Sequence, residues 1–199
     1  MPTKNSDLHG SAPDKAKTAL IIIDFLNELD FPEGPELLKN ALPAVHRVAA
    51  FKRYLKQQKV PVIYANDNFG KWRSSHLDLV THCLKKNCLG RDLAKKIVPD
   101  KDDYFVLKPK HSAFYATPLE TLLLYLGAKQ LILTGIAGNL CVLHTALDAH
   151  VRDYKIFVPA DCTASNTVHE NNTALEHLKS ILHLETKAST EFIQKKRKF

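Results

Sequence analysis

The chain alternates short, unbroken apolar runs with longer stretches in which apolar residues recur at helical spacing. Residues 19–23 are all apolar and end in Asp24, which is the pattern of a strand buried on both faces of a parallel sheet. Beyond the Pro-rich turn at 32–35, the apolar residues of 38–55 recur at helical spacing, and 61–65 form another short apolar run. This pattern predicts a first β-α-β unit.

The same alternation continues along the rest of the chain. It predicts helices over residues 77–88, 119–126, 140–152 and 172–181, and strands over residues 104–107, 130–134, 155–158 and 184–187. Helices and strands that take turns in this way build a parallel sheet covered on both faces. The expected fold is α/β, a three-layer, doubly wound, Rossmann-like sheet of about six parallel strands.

Composition narrows the expected organisation. The 199 residues are 45% apolar and 25% charged, which suits one globular domain, expected over residues 18–194. Residues 1–17 lack apolar periodicity and are expected to form a flexible leader, and residues 195–199 a basic tail. No apolar run approaches the roughly 20 residues of a membrane span, and no secretory h-region is found, so we expect a cytoplasmic protein without a membrane partner.

Charge and cysteine content argue against a nucleic-acid-binding protein and against a disulfide-stabilised scaffold. Much of the net charge of +7 lies in short runs such as the basic residues 195–198, and aromatic residues do not interleave with the basic ones, so a nucleic-acid partner is not expected. The four cysteines are too few and too scattered for a disulfide scaffold. We therefore expect reduced thiols.

Three reactive side chains fall where predicted strands end. Asp24 ends the first strand, Lys108 follows the third, and Cys141 lies where the fourth runs through a glycine-containing turn into a helix. In an open parallel sheet, ligands bind beyond the carboxyl ends of the strands. The three side chains are therefore expected to meet at one edge of the sheet.

The position of Cys141 suggests a nucleophile. Unpaired N–H groups and the helix dipole in a first helical turn favour a thiolate, and an ammonium from Lys108 would act in the same direction. The same N–H groups could hold an oxyanion, with Asp24 as the base. Each residue alone has a structural interpretation, as an inert buried thiol, a turn residue and a solvated lysine; the combination favours chemistry.

The other cysteines give a weaker signal. His76, His82, Cys83 and Cys88 are a conceivable zinc set, but the Cys-x₄-Cys spacing lacks the paired second half of a structural zinc site. Cys162 is interpreted as a small packing residue. No metal site is predicted.

At these residues the chain resembles the isochorismatase-like hydrolases, from residue 19 to about residue 191. The resemblance is carried by the apolar strand ending in Asp24, by Lys-Pro-Lys-His-Ser-Ala-Phe from Lys108 with Tyr115, Thr117, Leu119 and Glu120 after it, by Thr-Gly-Ile-Ala-Gly-Asn-Leu-Cys ending at Cys141, by Thr145, Ala146 and Ala149, and by Asp161. It implies strand order 3-2-1-4-5-6 and a catalytic triad of Asp24, Lys108 and Cys141. It also implies a cis peptide between Ile136 and Ala137, oxyanion N–H groups at Ala137 and Cys141, no cofactor, and dimers or tetramers whose neighbouring chain could close the pocket.

One departure from the family bears on the substrate. Members that hydrolyse nicotinamide carry an Asp-x-His-x-x-His metal site after the second strand, where this chain reads Asn-Asp-Asn-Phe-Gly-Lys-Trp from Asn66. The cysteine is dispensable in members that cleave the vinyl ether of isochorismate, so Cys141 favours a metal-independent hydrolase of a small amide. The vinyl-ether reaction and an inactive interaction module on the same fold remain alternatives.

The aromatic residues near the predicted site are either substrate contacts or core residues. These candidates are Phe25, Phe69, Trp72, Phe114 and Tyr115.

Overall fold

The computed structural model describes residues 14–70, 73 and 75–195. Its strands are β1 (Thr18–Ile23), β2 (Val62–Asp67), β3 (Tyr104–Lys108), β4 (Gln130–Ile136), β5 (Lys155–Phe157) and β6 (Thr163–Ala164). Its α-helices are α1 (Gly34–Gln57), α2 (His76–Cys83), α3 (Arg91–Lys96), α4 (Leu119–Leu126), α5 (Leu143–His150), α6 (Val168–Ser180) and α7 (Ser189–Gln194). A π-helical turn over Gly138–Val142 precedes α5, and a 3₁₀ turn over Ala160–Cys162 precedes β6.

The strands form one parallel sheet in the order β3-β2-β1-β4-β5, with β6 paired to β4. The predicted doubly wound α/β fold is confirmed. The last strand differs from the prediction: residues 184–187 make only a single bridge, from Glu185 to Phe157 on β5. One residue in four of that segment is apolar and the segment stays half-exposed, so little burial supports a longer pairing. The sixth strand is instead the two-residue β6.

Both faces of the sheet are buried, as the unbroken apolar run of β1 requires. Leu20 and Ile22 point into the cluster that contains the buried face of α1, whereas Ile21 and Ile23 point into the cluster formed with α4 and α5. All six residues of β1 are buried. The sequence run is thus shared between two cores, one on each side of the sheet.

Local capping explains where two helices begin. Ser75 caps α2 in a reciprocal capping box with Asp78, and Thr167 caps α6 in the same way with Glu170. The predicted helix over 77–88 was too long, since α2 ends at Cys83 before a basic turn, and the predicted start of α6 was four residues late. In the described ranges, no helix has the length and apolar character that crossing a bilayer demands.

A buried charge cluster ties α1 to the amino end of β3. Lys52, 6% exposed, places Nζ 2.5 Å from Oδ2 of Asp103 and 3.0 Å from the Tyr64 hydroxyl. Lys56 lies 2.9 Å from the other oxygen of Asp103. A buried ammonium needs such partners, and these fix the start of the strand whose other end carries Lys108.

Candidate active site

The carboxyl ends of β1 and β3 and the turn after β4 bring three reactive side chains together. Asp24 follows β1, Lys108 is the last residue of β3, and Cys141 lies in the π-helical turn. Nζ of Lys108 is 2.7 Å from Oδ2 of Asp24 and 3.6 Å from Sγ of Cys141. The three side chains singled out in the sequence therefore meet at one edge of the sheet.

The carboxylate of Asp24 is held from three directions. The backbone N–H of Asp67 donates to Oδ1 at 2.7 Å, Lys108 donates to Oδ2, and the Cys141 thiol also hydrogen-bonds this carboxylate. Burial raises the pKa of Asp24 above its ordinary value, while the charge of Lys108 opposes that shift. A carboxyl group with a raised pKa is a stronger proton acceptor once ionised.

Lys108 has no exposed surface. Burial acts to lower its pKa, but the interactions of Lys108 with Asp24, Cys141 and Asp67 together outweigh burial, so the pKa of Lys108 lies above its ordinary value. The ammonium also donates to the carbonyl oxygen of Lys110 at 3.2 Å, and Oδ2 of Asp67 lies 3.9 Å away. Lys108 is therefore a fixed positive charge between two carboxylates and a thiol.

In this site the pKa of the Cys141 thiol lies above that of an ordinary cysteine. Burial and the neighbouring charge of Asp24 raise its pKa to about 12, although Lys108 acts to lower it. The direction of this shift is opposite to the stabilised thiolate expected from the sequence. The sequence signal was local to a helix start, whereas the larger influences come from burial and from a carboxylate distant along the chain.

The turn after β4 has an unusual backbone. The peptide bond between Ile136 and Ala137 is cis. The carbonyl of Ala137 accepts the N–H groups of Leu140 and Val142 at 3.1 and 3.2 Å, which winds the turn tightly around the segment that carries Cys141. Ala137 and Cys141, predicted to supply the oxyanion N–H groups, lie at the start of the turn and within it.

A glycine brings this turn close to Asp24. Gly135 has a φ of 148°, and a Cβ there would lie 2.4 Å from the carbonyl oxygen and 2.6 Å from the Cβ of Ile23. Only glycine allows β4 to approach β1 this closely. The approach occurs one residue before Asp24.

Thr145 joins the nucleophile segment to the loop after Lys108. Its buried hydroxyl donates to the carbonyl oxygen of Cys141 at 2.7 Å and accepts the N–H of Ala113 at 3.0 Å. Asp67 was also absent from the predicted site, although it ends β2 at the same edge of the sheet. The strand-end rule that found Asp24 and Lys108 would have found Asp67 as well.

A cavity of about 270 Å³ adjoins the site and shares Asp67 with it. Phe69 lines this cavity, together with Leu79, His82 and Leu107. The other aromatic candidates lie elsewhere: Phe25 and Phe114 are buried in the two cores, and Tyr115 is 59% exposed. Core packing, the alternative interpretation, thus applies to Phe25 and Phe114; Trp72 lies outside the described residues.

The described residues of the loop after β2 do not form a metal-binding set. Asp67 is followed by Asn68 and Phe69, and within the described ranges the one cluster of potential ligands is Asp100, Asp102 and Asp103, which is paired with lysines. The conceivable zinc residues have separate partners: His82 bonds Glu28 at 2.6 Å, and His76 packs on a phenylalanine ring. The residues present therefore do not fit the metal site of the nicotinamide-hydrolysing members.

Comparison with known proteins identifies relatives over nearly the whole chain. The family model described as the isochorismatase domain matches residues 18–189. The isochorismatase family protein YaaI of Bacillus subtilis is 40% identical over 181 residues, which cover 91% of this chain and 99% of YaaI.

Solved structures agree with this match. An isochorismatase-like hydrolase from Alkaliphilus metalliredigens aligns with a TM-score of 0.72 at 24% identity, covering 92% of this chain and 98% of that one. The N-carbamoylsarcosine amidase of Thermoplasma acidophilum aligns with a TM-score of 0.65 at 25% identity, covering 87% and 97%. Both alignments cover at least 87% of this chain.

Proposed function

Because the chain belongs to the isochorismatase family, whose domain model covers residues 18–189, we propose that it is a cysteine hydrolase of a small amide or ureido substrate. Cys141 is the nucleophile, Asp24 the general base, and Lys108 the fixed positive charge. The reaction cleaves a C–N bond and needs no metal or other cofactor.

One observation carries the proposal: the ammonium of Lys108 lies 2.7 Å from Asp24 and 3.6 Å from the Cys141 sulfur, with all three side chains buried. Burying ionisable groups costs roughly several kcal/mol per ion before pairing offsets it. Unlike the Lys52–Asp103 pair, which fixes the start of β3, this cluster includes a thiol that can act as a nucleophile. Strongly perturbed pKa values beside a cavity are typical of catalytic sites.

The first half of the reaction forms a thioester. Asp24 takes the thiol proton as Sγ of Cys141 bonds to the substrate carbonyl carbon, and Lys108 offsets the negative charge at the sulfur. The N–H groups of Ala137 and Cys141 hold the oxyanion. When the tetrahedral adduct collapses, the C–N bond breaks and the protonated Asp24 returns its proton to the leaving nitrogen.

The second half restores the enzyme. Asp24, ionised again, takes a proton from a water molecule that attacks the thioester carbonyl. A second tetrahedral adduct forms, and the same N–H groups hold its oxyanion. Its collapse breaks the C–S bond and releases the acid. Cys141 regains its proton from Asp24. Because the resting thiol is protonated, removal of its proton is coupled to attack rather than completed beforehand.

The substrate is small and the amide reaction is preferred to vinyl-ether cleavage. The cavity beside Asp67 measures about 270 Å³ and is lined by none of the three reactive side chains. Its volume is just below the roughly 300–1,000 Å³ of typical small-molecule sites, so it has room only for a small substrate. A thiol held against a base is needed for acyl transfer but has no evident task in protonating and hydrating a vinyl ether. The related N-carbamoylsarcosine amidase acts on a C–N bond, as its name states.

The test measures ammonia release from a panel of small primary amides and ureido compounds, and pyruvate release from isochorismate for the vinyl-ether reaction. We expect turnover of at least one C–N substrate by the natural protein and its loss, by about 10⁴-fold or more, in Cys141→Ala. Cys88→Ala is the matched control because Cys88 is half-buried outside the site. Undiminished turnover in Cys141→Ala would contradict the proposal, and cleavage of isochorismate alone would replace it with the vinyl-ether reaction.

A further inference from the structure

A buried serine lies directly behind the turn that carries Cys141. The register of β6 pairs Thr163 with Gly135 and Ala164 with Ile136, so the next residue, Ser165, reaches the point where β4 enters the turn. Ser165 is 1% exposed, and its Oγ accepts the backbone N–H of Asn139 at 3.0 Å. The short strand β6 thus places the hydroxyl of Ser165 against the turn.

The hydroxyl of Ser165 has a defined orientation. Its proton points to Oδ1 of Asn171, 3.3 Å away, and Nδ2 of Asn171 donates in turn to the Thr163 hydroxyl at 3.4 Å. A serine hydroxyl has one proton to donate. Directing that proton to Asn171 leaves the oxygen lone pairs for the Asn139 N–H.

The turn also packs tightly against this pair of side chains. A Cβ on Gly138 would lie 2.1 Å from Oδ1 of Asn171 and 3.2 Å from Oγ of Ser165. No larger residue fits at position 138 unless Asn171 moves. The turn therefore has contacts on this side through both a hydrogen bond and close packing.

Ser165 is itself anchored from a different helix. Nδ2 of Asn40, on α1, donates to the carbonyl oxygens of Ser165 and Asn166 at 3.2 and 2.7 Å. The main chain of Ser165 is thus fixed independently of the turn. A hydroxyl whose main chain is fixed in this way can hold the turn in one position, which is the requirement for preorganised catalytic groups.

We propose that Ser165 is a positioning residue: its hydroxyl, bonded to the Asn139 N–H, holds the Ala137–Cys141 turn so that the thiol and the oxyanion N–H groups face the substrate together. The inference rests on the proposed hydrolase function, and Ser165 acts through the turn rather than on the substrate. A displacement of about 1 Å at reacting groups can slow a reaction by about 10²-fold.

The test compares Ser165→Ala, which removes the hydroxyl, with Ser165→Thr, which keeps it. Ser189→Ala is the matched control, because Ser189 is equally buried at 1% but bonds Asp161 instead of the turn. Asn171→Ala is a second variant that removes the partner of the hydroxyl. For each folded protein we would measure kcat and KM on the best amide, and the rate at which iodoacetamide modifies Cys141, which needs no substrate.

We expect Ser165→Ala to lower kcat by about 10- to 100-fold with KM changed less than about twofold, and to change the alkylation rate of Cys141 by about threefold or more. Asn171→Ala should show a smaller change of the same kind, and Ser165→Thr should recover most of kcat. Natural kcat in a folded Ser165→Ala protein overturns the inference, as does an equal loss of kcat in Ser189→Ala. If no amide is hydrolysed by the natural protein, the proposed function fails, and the alkylation rates alone then decide whether Ser165 positions the turn.

Discussion

The backbone N–H of Asp67 donates a 2.7 Å hydrogen bond to Oδ1 of Asp24. The bond joins the ends of two neighbouring strands, and it leaves the other carboxylate oxygen to Lys108 at 2.7 Å. The base is therefore oriented by main chain and by charge at the same time. A backbone donor cannot be removed by changing a side chain, so the orientation of Asp24 is expected to survive substitution at position 67.

Replacing the base should separate proton transfer from binding. Asp24→Asn keeps the size of the side chain but cannot accept the thiol proton, so we expect kcat to fall by about 10³-fold or more. Steady-state kinetics on the best amide measures the change. Asp92→Asn, an exposed carboxylate 3.5 Å from Lys95, serves as the control, and natural kcat in Asp24→Asn would rule out its role as base.

The pH dependence of Cys141 alkylation tests the state of the resting thiol. With a pKa of about 12, roughly one thiol in 10⁴ is ionised at pH 8, so modification should be slow there and rise with pH. Asp24→Asn removes a charge that raises this pKa and should speed modification, whereas Lys108→Met removes the opposing ammonium and should slow it. Peptide mass spectrometry from about pH 7 to about pH 10 measures both. A native Cys141 that titrates below an ordinary cysteine would contradict this account.

The ion pair between Lys52 and Asp103 at the start of β3 predicts that replacing the carboxylate of Asp103 lowers the stability of the protein strongly. Asp103→Asn leaves the buried Lys52 with only Asp100, at 3.1 Å, as a carboxylate among the described partners, and should lower the free energy of unfolding by about 3 kcal/mol. Urea unfolding measures it. Asp102→Asn, at a side chain 73% exposed, should change stability by less than about 1 kcal/mol. Equal effects of the two changes would refute the distinction.

The close approach of β4 to β1 predicts a strict requirement for glycine. In Gly135→Ala the added Cβ would lie 2.4 Å from the carbonyl oxygen of Ile23, so we expect the free energy of unfolding to fall by about 3 kcal/mol. Activity should fall as well, because Asp24 directly follows Ile23. Gly127→Ala is the control: its φ of 77° is also positive, but nothing lies within 4 Å of the added carbon. That change should cost about 1 kcal/mol and leave kcat unaltered.

Metal removal should leave the reaction unaffected. The end of β2 and the residues after it supply Asp67, Asn68 and Phe69 rather than a set of histidines, so dialysis against a strong chelator is expected to keep kcat within about twofold. Ammonia release before and after dialysis measures this. Loss of turnover that zinc, iron or manganese restores would show that a metal takes part.

The parts of the fold that sequence could predict are those with strong periodic burial. The apolar run before Asp24 marked β1, and the strand-end rule then located Lys108 and Cys141 without any contact information. The two-residue β6 was not predicted, because Thr163 and Ala164 show no periodic pattern of burial. Ser165 directly follows β6 and was not predicted for the same reason.

The pKa of Cys141 could not be predicted because its causes are not local. A cysteine near a helix start suggests a thiolate, but the shift is governed by burial and by Asp24, which lies over a hundred residues earlier in the sequence. The same limit affected Phe25 and Phe114, whose burial in the core depends on packing across the sheet. Residue type and spacing predict which residues form a site, whereas burial determines their pKa values and whether they pack in the core.

The raised pKa of Cys141 also bears on how the protein ages. Oxidants such as peroxide attack thiolates far faster than thiols, and the folded molecule keeps its nucleophile protonated and only 9% exposed. Unfolding removes both the burial and the neighbouring carboxylate, so the same sulfur regains ordinary acidity. The fold that assembles the active site is therefore expected also to slow oxidation of the thiol, and unfolding should remove that protection.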